Sequence, residues 1–436
     1  FSLFLVYYIF FYYCKYFRGR SMKGVVGLVV VLGMLSIASG DLAPPVCTLS
    51  NILENSLIAS GFCPFIFTEL IDTPRGIVVA DNGDLLVVER GTESVIALWA
   101  NKDAPLTSTE SDRVVLGTAP GLNHGIDIND GYLYASSETD VYRWPYTAGD
   151  RTFLGEPTHV MKNVPCCHHV TRAVRFDPEG NMYVQVGSAS NVDKDTTHAR
   201  INRFSLPANE SSFPLDWNDG YVFANGLRNE AGMNFDKFGR LWGMENGVDM
   251  LFREDLGGDI HDDNPGEELN LFDVPGKFYG YPYCWSEYKL AAGMGPGTQW
   301  AHPDFMPEVN DTWCQDPANV VPPKNVNQAH MAPLGITFWD DEELFAPGRL
   351  SAMVPFHGSW NRNPPAGYRV DYYNISHDGN DVVTTGFLKH AGEDAYGPGW
   401  IRPVSVATGK CAYGRGECLY ITSDSSGQVI AIGADE

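Results

Sequence analysis

Basic charge is scarce in this chain: 30 Lys and Arg stand against 54 Asp and Glu, for a formal net charge of −24 over 436 residues. A field of that sign repels nucleic acid, which selects basic surfaces, and so excludes that class of partner. A long apolar run is missing as well. The most apolar stretch, residues 25–37, has about 13 residues, short of the ~20 needed to cross a bilayer. No C-x2-C pair of the kind that holds structural zinc occurs. Nor does the EF-hand spacing, in which alternating Asp/Asn precede a Gly and a Glu follows six residues later. Against this acidic background, any local cluster of Arg is informative.

The start of the chain reads as targeting sequence. After an irregular aromatic run from Phe1 come Met22, Lys23, the short apolar stretch and then Ala38-Ser39-Gly40. A positive end, an apolar core and small residues predict a secretory signal peptide with Met22 as its start. Residues 1–40 are thus expected to lie outside the fold, 41–60 to form a lead-in and 61–436 the domain. The mature protein is expected to be extracellular and to have no membrane span. Setting Cys14 aside, eight cysteines remain, and an even number behind a signal peptide predicts disulfides. Their order pairs Cys47 with Cys63, Cys284 with Cys314 and Cys411 with Cys418. Cys166 and Cys167 either form a vicinal bridge or stay reduced. Sequons at Asn209, Asn310 and Asn374 fit the same route.

One unit recurs six times: a short apolar strand, a Gly-containing turn, a returning strand and a third, alternating strand. The turns carry Gly83, Gly131, Gly180, Gly239, Gly348 and, in the sixth unit, a longer segment from Cys411 to Cys418. Units of about 50 residues built this way predict an all-β, six-bladed β-propeller. Fourth strands follow several units, at 113–116, 158–164 and 382–388. None follows the sixth, so 65–70 is expected to close that blade and remove the open edge. Residues 250–331 depart from the repeat and are expected to form an insertion over one face.

In a propeller the innermost strand of each blade starts at the mouth of the central channel, so its first residues converge. Here those positions are Arg75, His124, Arg172, Arg228, Leu334-Gly335 and Arg402. The returning strands add Arg90, Asn246, His357 and Asp424. Several cationic forks in one concavity repel one another unless an anion fills it. Salt bridges between neighbouring blades are the alternative. His169 lies just before an inner strand, where an imidazole can act as a general base or be structural. Glu245 to Asp249 and the acidic run 259–268 offer oxygen ligands for a hard cation such as Ca²⁺, or form a solvated acidic loop.

Seven segments give the chain a family resemblance over residues 60–434. They are Leu122-Asn123-His124-Gly125-Ile126, His169-Val170-Thr171-Arg172 with Asp177-Pro178-Glu179-Gly180, Gly226 to Gly232, Glu245-Asn246-Gly247, Glu267 to Asn270, Phe356 to Asn361, and Arg402-Pro403-Val404. In this order they resemble the soluble quinoprotein sugar dehydrogenases, above all the secreted pyranose dehydrogenases that use pyrroloquinoline quinone (sorbosone/glucose-dehydrogenase-like propellers). The resemblance implies a cofactor with three carboxylates, oxidation of a pyranose or keto-sugar hydroxyl, and an external electron acceptor such as a cytochrome or a copper enzyme. It implies His169 as the base and Arg228 as the group that polarises the quinone carbonyl. Arg75, Arg90, Asn123, His124, Arg172, Arg228, Asn229, His357 and Arg402 would hold the cofactor. The carbonyls of Gly247 and Val248 would hold Ca²⁺, and Trp360 and Trp400 would form a sugar platform. One departure stands out: Ser188 lies where the bacterial glucose-oxidising branch has an acid. Two other readings stay open, a Ca²⁺-dependent lactonase-like hydrolase and a non-catalytic extracellular binding propeller.

Overall fold

Six antiparallel sheets follow one another along the chain in a computed structural model that describes residues 42–166, 168–392, 399–411 and 413–435. The expected signal peptide, and the partner role of Cys167 in a vicinal bridge, lie outside the described residues. Blade 1 is Pro74–Val79, Leu85–Glu89, Ser94–Leu98 and Arg113–Thr118, each strand paired to the next. Blade 2 repeats the meander from Ile126–Asn129 to Thr158–Lys162, and blade 3 from Val174–Phe176 to Tyr221–Asn225. Blade 4 uses Gly232–Phe235, Leu241–Glu245, Glu267–Phe272 and Asn325–Asn327. Blade 5 runs from Thr337–Phe338 to Val382–His390, and blade 6 from Pro403–Lys410 to Gln428–Ala434.

The sixth blade lacks a fourth strand of its own. Phe62–Thr68, from the N-terminal side, supplies it, pairing Phe62 with Ala434 and Ile66 with Ile430. Closure of this kind satisfies the backbone groups that an open edge would leave unpaired. Just upstream, Ser56–Ile58 adds a fifth strand to blade 5, and the Cys47–Cys63 disulfide ties the lead-in to the closing strand.

Apolar side chains fill the spaces between blades. Val88, Val95 and Leu116 of blade 1 pack with Leu122, Leu133 and Trp144 of blade 2 in one buried cluster. At the axis there is no room for side chains. A Cβ on Gly76 would lie 2.0 Å from the His124 carbonyl oxygen, and one on Gly125 would lie 2.2 Å from that of Arg172. Inner strands therefore touch through their backbones, and the cavity left on the axis is about 10 Å³, at most one water. The channel is a plug, and the mouth is a closed cup.

Blade 4 carries two long excursions, one on each side of Glu267–Phe272. The first holds a short ribbon, Phe252–Arg253 with Gly258–Asp259. The second holds another, Cys284–Ser286 with Gln299–Ala301, and the one-turn helix Asp311–Cys314, joined by the Cys284–Cys314 disulfide. Cys411 and Cys418 are likewise bridged.

Candidate functional site

Asp424, at the end of the returning strand of blade 6, organises one side of the cup. It accepts Arg75 Nη1 at 2.6 Å and His357 Nε2 at 2.8 Å. Burial works to raise its carboxyl, but the His357 hydrogen bond and the charges of His357 and Arg75 more than offset this and hold it at about 2. Burial lowers the Arg75 guanidinium; Asp424 opposes that, while Arg90 and Arg402 reinforce it. Three guanidinium groups thus feel one another across a concavity that holds one carboxylate between two of its bases. Arg402 is set by the carbonyls of His357 (3.1 Å) and Gly358 (3.2 Å) and lies over the Tyr368 ring. Arg90 is exposed, and its side chain makes no hydrogen bond or ion pair among the described residues.

His169 stands on the opposite side, in the segment leading into blade 3. Its Nδ1 is 3.0 Å from both the carbonyl and the hydroxyl oxygen of Ser188. A carbonyl only accepts, so Nδ1 carries the proton and Nε2 keeps the lone pair. The Ser188 hydroxyl donates onward to the Ser190 carbonyl at 2.7 Å, which leaves its oxygen free to accept. Ser188 thus orients the imidazole without a negative charge. Burial, followed by the charges of Arg228 and His168, pushes the imidazole down to about 3.

Arg228, at the mouth of blade 4, is buried and fully engaged. Nη2 pairs with Asp249 at 2.7 Å and donates to Asn191 Oδ1 at 2.9 Å, while Nε donates to the Asn191 carbonyl at 3.3 Å. Asp249 and Asn191 were not legible as site residues, since both sit in irregular loops with no periodic signal. Asn123 donates to the Val170 carbonyl at 2.9 Å, beside His169, and its Oδ1 is buried without a partner. His124 is buried with Nδ1 unpartnered; burial and the charges of Arg75 and Arg175 push it down to about 3. Asn229 accepts a long hydrogen bond from Gln185 at 3.5 Å.

Two residues expected at the mouth face elsewhere. Arg172 is almost fully buried and donates to the carbonyls of His169 (2.6 Å), Thr171 (2.8 Å) and Pro165 (2.5 Å). It clamps the loop that carries His169. Trp400 is buried too, with its indole N–H donating to the Tyr368 carbonyl at 2.8 Å; it supports the ring beneath Arg402 and presents no face to a sugar. Trp360, in contrast, is 73% exposed. A cavity of about 450 Å³ opens from Arg90 and Asn123 outward between blades 1 and 2.

The acidic run of blade 4 does not converge on one point. Glu267 and Glu268 turn into the core, whereas Asp259 lies exposed on its ribbon and contacts His261. Among the described residues no group of three or more His, Cys, Asp or Glu is arranged to hold a metal ion. Gly247 and Val248 line a small cavity with Arg228 and Glu268, so an ion there would rely on backbone carbonyls.

Beneath them lies a feature without a sequence signal. Glu230, Glu245 and Glu268 are all buried, and both Glu230 oxygens are unpartnered. Burial, then the charge of Glu268, pushes Glu230 well above the ordinary carboxylate range.

This geometry matches that of known proteins. The structure resembles the calcium form of a Trichoderma reesei carbohydrate-active enzyme of family AA12 (TM-score 0.77, 27% identity, 89% of this chain and 100% of that one). It also resembles the holo form of the PQQ domain of pyranose dehydrogenase from Coprinopsis cinerea (TM-score 0.73, 27% identity, 86% of this chain and 96% of that one). In sequence, the chain is 29% identical to a pyrroloquinoline quinone-dependent sugar dehydrogenase of Hypocrea jecorina over 88% of this chain and 93% of that protein. It is 31% identical to the pyrroloquinoline quinone-dependent pyranose dehydrogenase of Coprinopsis cinerea over 86% of this chain, but spans only 54% of that longer relative. The TrAA12-like family model matches residues 57–435, and the chain belongs to that family.

Proposed function

We propose that this protein is a secreted quinoprotein oxidoreductase that oxidises a hydroxyl of a pyranose or keto-sugar, with pyrroloquinoline quinone as cofactor and an external electron acceptor. The observation that carries the reading is the cup itself: a base with a fixed tautomer, His169, beside Arg228 and facing a cationic rim. The disulfides agree with an extracellular site, and no helix among the described residues is long and apolar enough to cross a membrane.

The residues present fit a tricarboxylate. Arg75, Arg90 and Arg402 act on one another's charge, and His124 Nδ1 and Asn123 Oδ1 are buried without partners. These five residues, with His357 and Asn229, would hold the quinone, which supplies a carbonyl able to accept hydride when bound. His169 Nε2 takes the proton of the sugar hydroxyl. Arg228, held in place by Asp249 and Asn191, aims positive charge at developing negative charge and needs no reorganisation to do so. The axial plug below the cup keeps bulk water from entering along the axis. Ca²⁺ would sit at the carbonyls of Gly247 and Val248, and Trp360 remains the candidate platform for the sugar. A ring of bases would repel a cation at the axis, the place a Ca²⁺-dependent propeller hydrolase would use.

The test is reconstitution with quinone and Ca²⁺ followed by dye reduction across a panel of sugars. Turnover with at least one pyranose is expected. Absence of both a spectral change and a thermal shift on adding quinone would overturn the cofactor assignment.

A further inference from the structure

The exposed apolar side chains of this protein are concentrated on one rim of the mouth face. Met250 and Phe252 are 61% and 56% exposed, and Trp360 flanks them on a segment bound to theirs. Asn361 donates to Asp249 at 3.3 Å, Arg362 pairs with Asp263 at 3.1 Å, and the Asn363 amide donates to Asp262 at 2.7 Å. Large exposed apolar groups gathered in one place, with acids around them, mark an interaction surface.

The surround is acidic. Glu254, Asp255 and Asp259 are exposed, and Asp259 lies opposite Phe252 in the ribbon. The bases facing this rim are already engaged. Arg253 is buried and shared between Asp255 and Asp311. Arg362 and Lys289 both pair with Asp263, and His261 lies between Asp259 and Asp262. Glu254 has no ion-pair partner among the described residues.

We propose that this patch docks the electron acceptor, and that the acceptor is a one-electron haem protein with an apolar centre and a basic rim. The inference rests on the oxidoreductase reading above. Charge complementarity selects such a partner, and the apolar centre excludes water where the two meet. The patch is also next to the reacting site. Met250 follows Asp249, the residue that holds Arg228 at 2.7 Å. Each turnover removes two electrons and two protons from the sugar. Two ferric acceptors take one electron each, and the protons pass to solvent.

The holoenzyme tests this with cytochrome c, whose haem edge is ringed by lysines, and with dichlorophenolindophenol as the small-molecule control. At saturating sugar, the second-order rate with cytochrome c should fall about tenfold or more from low to high salt, the size of a steering effect. The Glu254→Lys/Asp259→Lys double variant should lower it as much at low salt. Phe252→Ala should slow cytochrome c with little change in salt dependence. Dye reduction should change less than about twofold throughout, since a small dye needs no docking surface. A cytochrome c rate indifferent to salt and to charge reversal overturns the proposal. So does a dimer, seen by light scattering, that dissociates in Phe252→Ala, because the patch would then belong to a second copy. Loss of dye reduction in the unsubstituted protein overturns the oxidoreductase reading instead.

Discussion

His169 donates Nδ1–H to Ser188, a residue with no charge to give. A carboxylate in that place would stabilise the imidazolium and raise the base's pKa. Here burial and Arg228 act alone and hold it at about 3, so the base is unprotonated across mildly acidic conditions. The acidic limb of kcat/KM should therefore lie below pH 5. Ser188→Asp should move that limb upward by about one unit or more, since an opposite charge favours the protonated ring. His169→Ala should lower kcat by roughly 10²- to 10⁴-fold while quinone affinity changes little. Steady-state pH profiles of the three proteins decide the matter, and an unmoved limb in Ser188→Asp reassigns the base.

Asp424 ties blade 1 to blade 5 through Arg75 and His357, so its replacement should be felt in stability as well as in binding. Its folded pKa of about 2 lies below the ordinary 3.8. A carboxyl depressed on folding contributes stability above the unfolded value and loses it as pH falls through the folded one. The gap amounts to roughly 2 kcal/mol at neutral pH. Asp424→Asn should be less stable by about that amount at pH 7 in urea unfolding. The difference should shrink as pH drops from about 4 towards 2. A pH-independent difference would mean that packing, not charge, is what Asp424 provides.

The blades were legible because strand, glycine turn and return strand are local signals, repeated at a period that the closure of the ring then explains. The mouth positions of Arg75, Arg228 and Arg402 were legible for the same reason: each begins an inner strand. What could not be read was direction. Arg172 occupies an equivalent position, yet three carbonyls of the His169 loop capture its guanidinium. Trp400 sits two residues from Arg402 and faces the core, because an irregular segment carries no period to say which way a side chain points. Asp249 and Asn191 reach Arg228 from loops, where contact is fixed by the tertiary fold and not by spacing. The buried glutamates were hidden by their own rule, since an acid in a strand is normally expected at the solvent face.

Glu230 inverts the usual carboxylate behaviour. Burial and the nearby Glu268 raise its folded pKa above the unfolded value of 4.5. A carboxyl raised on folding favours the folded state below the unfolded pKa and loses that advantage as pH climbs through the folded one. The wild-type protein should thus become less stable on going from pH 5 to pH 8, in part through this residue. Glu230→Gln removes the titration and places an amide donor beside Glu268 and Glu245. It should be more stable than wild type at pH 8 by about 1–3 kcal/mol, the cost of an unsatisfied buried polar group, with little difference at pH 5. Thermal melts at both values test this. Equal gains at both would show that Glu230 is not the titrating group.

Arg90 and Arg75 differ in what else depends on them, and that difference separates binding from folding. Arg75 is buried on Asp424, so removing it strands a buried carboxylate. Arg90 is exposed, without a partner among the described residues, and substituting an exposed, unpartnered side chain changes stability by no more than about 0.5 kcal/mol. If its task is to meet a carboxylate of the cofactor, the lost charge-assisted hydrogen bonds amount to roughly 1.5–3 kcal/mol. Arg90→Ala should therefore weaken quinone binding about 10- to 150-fold, followed by tryptophan fluorescence. The melting temperature of the quinone-free protein should stay unchanged, and the affinity should lose part of its salt dependence. Arg75→Ala should instead lower both affinity and melting temperature. If Arg90→Ala binds quinone as the wild type does, the carboxylate load falls on Arg75 and Arg402 alone, and the free guanidinium at the rim serves the sugar.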